Sequence, residues 1–185
     1  MEIRTAALRD AEELLGIYAP YVTDTAISFE CEVPSVEEFR ERIRRITAEY
    51  PYLAAVEDGR IAGYAYATLF RSREAYRHSV ETTIYLREGM YGRGIGRALY
   101  TRLEELLAAQ GVYRAYACIT VPDSRGGDPG GGSEAFHRRM GYRLTGRHDL
   151  CGWKNGNWYS VIWMEKVLRE AEGEPVPFVP FGGGA

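Results

Sequence analysis

Glu81 stands inside the apolar and β-branched run "VETTIYL", and shortly after it the chain reads Tyr91-Gly92-Arg93-Gly94-Ile95-Gly96-Arg97. A carboxylate is disfavoured in a strand interior and costly to bury unless it is paired or functional. Desolvation would raise its pKa toward the range useful to a general base, whereas on a half-exposed strand it would be an ordinary surface Glu. A glycine-rich turn that feeds a helix offers unpaired backbone N–H groups and a partial positive charge, which suits phosphate. A P-loop is excluded, because Gly94 and Gly96 are followed by Ile95 and Arg97 rather than by Lys and then Ser or Thr. The dinucleotide fingerprint is missed as well, since Arg97 or Leu99 stands where the third small residue belongs. What remains is an anion site built on Gly92, Gly94 and Gly96, or a glycine turn with no ligand.

His78, His137 and His148 show no metal-site spacing, so a zinc reading is poor. His137 falls on a short helical stretch after a glycine-rich segment, where its ring either points back at a ligand or is structural. Arg71, Arg73 and Arg77 cluster beside Tyr76 at the end of a strand. Planar guanidinium forks pair with carboxylate or phosphonate-like oxygens, and the plain reading is a solvated basic loop. Trp153, Trp158, Tyr159 and Trp163 gather toward the C-terminus, as core or dimer contacts.

The elements that must position these groups follow from periodicity. "EIRTA" alternates as a strand. Leu8, Ala11, Leu14, Leu15 and Tyr18 recur at helical spacing up to Pro20, which is expected to interrupt the helix. Ser35 and Glu38 form a capping box ahead of a stripe of Val36, Phe39, Ile43 and Ile46. Two strands flank Asp58-Gly59, a hairpin signal, and "HSVETTIYL" is a third. A helix over 97–110 stops at Gly111, "YRAYACITV" is a strand, and "SEAFHRRMGY" is a short helix with Ser133 as its expected cap. "RLTGRHDL" and "WYSVIWMEKVL" close the chain as a hairpin. The order β-α-α-β-β-β-α-β-α-β-β is a mixed α/β sheet fold with one βαβ unit at its centre.

At 185 residues the chain suits one domain, expected over 1–170, with a Pro/Gly-rich tail over 171–185 and a glycine-rich loop at 123–133. A net charge of −3 argues against nucleic acid as a partner, although 21 of the 23 basic residues are Arg. Three scattered cysteines make no disulfide framework, and no leader or membrane-length apolar run is evident. The expectation is a soluble cytoplasmic protein that engages no membrane.

Taken in order, "YPYLAAVEDGRIAGYAYA", "HSVETTIYL", "GRGIGRALYTRL", "LLAAQG", "AFHRRMGY" and "GNWYSVIWM" resemble a GNAT-superfamily N-acetyltransferase, and within it the phosphinothricin and methionine sulfoximine or sulfone acetyltransferase family. The resemblance runs from "IRTA" to about Leu168 and implies the acyl-CoA N-acyltransferase fold. It implies acetyl-CoA as cosubstrate with no metal, a small amino-acid-like amine as substrate, and a homodimer. Tyr91, Gly92, Arg93, Gly94, Ile95, Gly96 and Arg97 would cradle the CoA pyrophosphate, and Thr83, Ile84 and Tyr85 would hold the pantetheine arm and offer a donor to the thioester oxygen. Glu81 would be the general base and His137 the active-site histidine. Phe29, Tyr66, Arg71, Arg73 and Tyr76 would line the amine site. Two departures stand out. Tyr91 replaces the Gln or Arg that usually opens the loop motif, which implies altered rather than abolished CoA affinity. The 123–133 segment replaces a compact Asn-containing turn and would border the channel and substrate mouth.

Overall fold

A computed structural model describes residues 1–121 and 132–182. The elements are β1 (Glu2–Thr5), α1 (Ala11–Thr23), α2 (Val36–Glu49), β2 (Tyr52–Glu57), β3 (Arg60–Leu69), β4 (Ser79–Leu86), α3 (Ile95–Ala109), β5 (Arg114–Val121), α4 (Ser133–Arg139), β6 (Arg143–Lys154) and β7 (Asn157–Val167), with short 3-10 turns at Leu8–Asp10 and Glu74–Tyr76. The order matches the periodicity reading. All seven strands form one sheet in the order β1-β2-β3-β4-β5-β7-β6. Among the described residues only β4 and β5 run parallel; the other neighbours are antiparallel.

Local chemistry sets most of these boundaries. Asp58 and Gly59 both take positive φ, +50° and +76°, the twist a two-residue hairpin needs. Ser35 Oγ accepts from the Glu38 N–H at 3.2 Å, and Glu38 Oε2 accepts in return from the Ser35 N–H at 2.7 Å. The core lies between the sheet and the helices: Leu14, Ile43, Tyr64, Leu99, Leu103 and Met164 are almost fully buried.

Four expectations need correction. Pro20 does not end the first helix, which runs through it to Thr23. A mid-helix Pro costs about 3 kcal/mol, but Tyr21 and Val22 beyond it join the buried core, and burial stabilises by about 1.5–3 kcal/mol per large apolar side chain. Leu8 is not part of that helix's buried stripe; it sits in the preceding 3-10 turn and is exposed. Ser133 is the first residue of α4 rather than its cap, which is Gly132. The helix expected over 97–110 begins two residues earlier, at Ile95. The 123–133 loop falls outside the described residues as far as 131.

The tail over 171–185 forms neither helix nor strand in its described part, yet it is fastened down. Val179 N–H donates to the Gln110 carbonyl at 2.9 Å, and Phe181 N–H donates to the Glu49 carbonyl at 3.1 Å.

Candidate active site

The parallel pair at the centre of the sheet is short. Ser79, Val80 and Glu81 on β4 pair with Arg114, Ala115 and Tyr116 on β5, and there the ladder ends, although β4 continues to Leu86 and β5 to Val121. Past Glu81 the two strands diverge, and the gap between them is a cleft of about 290 Å³ lined by Thr82–Tyr85 on one side and Ala117–Thr120 on the other. Thr82 bridges the point of divergence, donating from Oγ1 to the Tyr116 carbonyl at 3.1 Å. Backbone groups left without a ladder partner are open to a ligand with its own amides.

A second hollow of about 710 Å³ adjoins the cleft and shares Ile27, Ile84 and Ser133 with it. Tyr91, Gly92, Gly94, Ile95, Gly96 and Arg97 line this groove. Gly92 and Gly94 have φ of +75° and +81° with open space where a Cβ would stand, so these glycines are required by backbone conformation. Gly96 is different: a Cβ there would come within 3.2 Å of the Phe136 ring, so α3 and α4 pack closely at that point. Helix α3 opens after Gly94 with no side-chain cap and no acidic residue in its first turn, which instead carries Arg97, whereas α1 and α2 open on Glu12, Glu13, Glu37 and Glu38. Its terminal N–H groups are left for an external anion. Tyr91 Oη lies 2.6 Å from Tyr21 Oη, which donates to the Leu86 carbonyl, so the departure at Tyr91 ties the glycine loop to α1. The Arg93 side chain does not enter the groove; it pairs with Glu57 at 2.8 Å.

Glu81 lies at the narrow end of the cleft, half-buried. Desolvation raises its pKa above the ordinary carboxylate range, and the charge of Arg71 partly offsets that. His137 lines the same cleft and is only 3% exposed. Its Nδ1 lies 2.8 Å from the Ser133 carbonyl, which can only accept, so Nδ1 carries the proton and Nε2 accepts from Tyr100 Oη at 3.0 Å. Burial pushes the imidazole pKa down from 6.5 to about 4, against the opposing pull of the Ser133 carbonyl. Histidine 137 is therefore neutral, with both nitrogens engaged, and the hydroxyl that it orients belongs to Tyr100.

Phe29 and Tyr66 line the cleft; Arg71, Arg73 and Tyr76 stand outside its lining. Phe29 comes from the segment after α1, which is held on three sides. Lys154 Nζ donates to the Ser28 carbonyl at 2.6 Å, Ser28 Oγ meets Tyr18 Oη at 2.6 Å, and Arg42 pairs with Glu30 at 2.6 Å. A Cβ at Gly152 would stand 2.2 Å from the Phe29 ring, so that glycine lets the ring lie against β6. Arg71 stacks over Phe70 at 4.2 Å and faces Trp163 at 5.4 Å. Arg73 and Tyr76 are exposed. Tyr100, Cys118 and Thr82 are cleft residues absent from the sequence-based set. Tyr100 reads as core from the helical period of α3, and Cys118 as one more strand residue, so neither carried a signal of its own. Among the described residues no three His, Cys, Asp or Glu side chains are grouped to hold a metal, and no helix is long and apolar enough to cross a membrane.

A short parallel pair that splays beside a glycine-lined helix start is the architecture of an acyl-CoA N-acyltransferase, and the comparisons agree. Residues 3–163 match the acetyltransferase (GNAT) domain model, and the chain belongs to that family. It is 36% identical over 172 residues to the phosphinothricin N-acetyltransferase of Streptomyces coelicolor, covering 91% of this chain and 96% of that one. It is 30% identical over 175 residues, 94% of this chain and 98% of the other, to the L-methionine sulfoximine/L-methionine sulfone acetyltransferase of Pseudomonas aeruginosa. The structure of a Sinorhizobium meliloti phosphinothricin acetyltransferase in complex with AcCoA superposes with a TM-score of 0.85 at 34% identity, covering 95% of this chain and 92% of that one.

Proposed function

We propose that this protein transfers an acetyl group from acetyl-CoA to the free α-amine of a small amino acid or analogue of the phosphinothricin, methionine sulfoximine or sulfone type, by direct attack within a ternary complex. The observation that carries this reading is that the raised-pKa carboxylate of Glu81 stands where the splayed strands open, in a cleft continuous with the uncapped, glycine-lined start of α3. Acetyl-CoA, when bound, supplies the activated acyl group as a thioester.

The chain's residues divide the remaining work. Gly92, Gly94, Ile95, Gly96 and Arg97 offer backbone donors to a pyrophosphate, with Tyr91 and Arg93 holding the loop through Tyr21 and Glu57. Thr83, Ile84 and Tyr85, on the stretch of β4 without a β5 partner, present main-chain groups to the acyl arm, including a donor where oxyanion charge develops. Glu81 takes a proton from the substrate ammonium, freeing the nitrogen lone pair to attack the carbonyl. The departing thiolate takes up the proton that the attacking nitrogen sheds as the tetrahedral intermediate collapses, and the Tyr100–His137 pair fixes the cleft wall beside it. Holding both reactants in one cleft removes much of the entropic barrier.

Phe29 and Tyr66 form the walls of the amine site, and Arg71, Arg73 and Tyr76 its outer rim, with the guanidinium groups facing the substrate's carboxylate or phosphinate. Replacing Arg73 with Ala is expected to raise the amine KM about tenfold, one charge-assisted hydrogen bond's worth, while leaving the acetyl-CoA KM in place. Arg71→Ala adds a second effect. Removing the charge that holds the Glu81 pKa down moves the acid limb of the rate profile to higher pH. Steady-state kinetics over a pH series separate the two, and equal changes in both KM values would remove the clamp.

The protein is further proposed to work in the cytoplasm as a homodimer. Leu150, Trp153 and Trp158 on the β6–β7 hairpin are 49%, 57% and 53% exposed, a cluster of large apolar side chains suited to burial against a second copy. Sedimentation at micromolar concentration should show a dimer that Trp153→Glu dissociates, and a monomeric parent rejects the assignment.

The activity itself is tested by release of the CoA thiol from acetyl-CoA across phosphinothricin, methionine sulfoximine, methionine sulfone, common amino acids, polyamines and short peptides. Release with the first three supports the proposal. Release confined to another amine keeps the acetyltransferase and rejects this substrate class.

A further inference from the structure

The tail has a place in the fold that its composition does not announce. After β7 the chain turns back and is bonded at three points, two on the connection between α3 and β5 and one at the end of α2. Val176 N–H donates to Tyr113 Oη at 3.0 Å, Val179 N–H donates to the Gln110 carbonyl at 2.9 Å, and Phe181 N–H donates to the Glu49 carbonyl at 3.1 Å. Gln110 Nε2 returns a bond to the Val179 carbonyl at 2.9 Å and reaches the Glu49 carbonyl at the same distance, joining the ends of α2 and α3 to the tail. Gly111, at φ +88°, allows the tail to approach; a Cβ there would lie 2.9 Å from the Pro177 carbonyl oxygen.

In the middle of this segment Phe178 is half-buried, with its ring 5.6 Å from that of Tyr50 and under the Arg77 guanidinium at 4.7 Å. Arg77 closes the loop that carries Arg71, Arg73 and Tyr76. Its only ion pair among the described residues is Glu74 at 3.7 Å, a distant and exposed contact of little energetic value. The next residue, His78, is anchored to the same floor, with Nδ1 2.7 Å from the Gly111 carbonyl and its own carbonyl accepting from the Tyr113 N–H at 2.8 Å. At the loop's other end Phe70 stacks on Tyr116 at 4.2 Å. The residues between these anchors, Arg71 to Tyr76, are exposed.

We infer that residues 175–181 are a strap that positions the amine-recognition loop, with Phe178 gripping Arg77 and thereby holding Arg71 and Arg73 at the rim of the cleft. Phe178 is a positioning residue and touches no reactant. The inference rests on the assignment of that loop to the amine, but the mechanical part can be read separately. The glycine-lined groove is at the opposite end of α3, a 15-residue helix about 22 Å long, so the strap should not affect acetyl-CoA.

The test compares the full chain with Phe178→Ala and Phe178→Tyr, the second keeping the ring. Hydrogen exchange of residues 70–78 and steady-state kinetics with methionine sulfone are measured on each. Phe178→Ala should accelerate exchange in 70–78 and raise the amine KM about three- to tenfold, the range for a cation–π contact, with kcat and the acetyl-CoA KM unchanged. Phe178→Tyr should restore both. Unaltered exchange in 70–78 overturns the inference, and so does a parallel rise in both KM values, which would mark a general loss of fold. Should no amine be turned over, the functional reading fails while the exchange data still decide whether the strap holds the loop.

Discussion

Glu81→Gln is expected to lower turnover by about 10²–10⁴-fold, the range for a positioned general base, while acetyl-CoA still binds and the folded protein becomes more stable at neutral pH. The two effects share one cause. Burial beside the end of the β4–β5 ladder raises the carboxyl pKa, and Arg71 does not fully compensate. A group whose folded pKa lies above its unfolded value favours the fold below the unfolded pKa and loses that contribution as pH rises through the folded value. At neutral pH the ionised Glu81 is therefore a cost to the fold that an isosteric neutral amide removes. Below the ordinary carboxylate range the wild-type side chain is neutral too, so the stability gain of the variant should vanish there. The activity profile gives a second signature, because the acid limb of kcat/KM should lie above an unperturbed carboxylate and disappear from the residual rate of the variant. Denaturant melts at pH 7 and pH 4 with a pH–rate series check both. An unchanged turnover would remove Glu81 from the mechanism, and reduced stability at neutral pH would show that the amide had damaged packing instead.

What could be read from the sequence depended on how local the governing physics was. The positive φ at Asp58 and Gly59, the Ser35–Glu38 box and the glycines before α3 are short-range demands, and each appears where the residue types put it. Helix α1 continued through Pro20 because Tyr21 and Val22 had a core to enter, a tertiary gain invisible to local propensity. The divergence of β4 from β5 was likewise hidden: both strands are long enough to pair throughout, and only the three-dimensional arrangement ends the ladder at Glu81 and Tyr116. The presence of Glu81 in an apolar strand was therefore visible, but the reason it is useful there was not. Tyr100 was masked by its place in an amphipathic helix, where a buried aromatic is the ordinary expectation. A hydroxyl at the start of a helix ordinarily reads as its cap. In the fold the main-chain carbonyl of Ser133, rather than its side chain, matters, since it sets the tautomer of His137. Phe178 had no period to belong to, and it acquires meaning only through Arg77, about a hundred residues away in the chain.

The neutral state of His137 leads to the other large effect. Its pKa falls from 6.5 to about 4, mainly through burial, against the Ser133 carbonyl bond that favours the protonated ring. Between those values the unfolded chain binds a proton that the native state refuses, so stability rises with pH across the window. The contribution is complete above about pH 6.5 and is lost as the pH falls toward 4; at about 1.4 kcal/mol per unit it amounts to roughly 3 kcal/mol. Asp10, held below the ordinary range through its bonds to Arg4 and Ala7 despite burial, also loses stabilising value in acid, so the comparison must be made between variants. His137→Gln removes the titration but leaves Asp10 in place. It should be less stable than the parent at pH 7, because Tyr100 Oη loses a well-aligned acceptor, and the gap should narrow or close near pH 4. Equilibrium unfolding at half-unit intervals measures this directly, and a gap independent of pH would mean that the ring titrates alike in the folded and unfolded chain. The same variant separates the two titrating groups of the cleft. If Glu81 is the base, the acid limb of kcat/KM persists in His137→Gln with a lower plateau, because an imidazole already neutral from pH 5 upward contributes no limb of its own. Loss of the limb on replacing His137 would transfer the base from the strand to the helix.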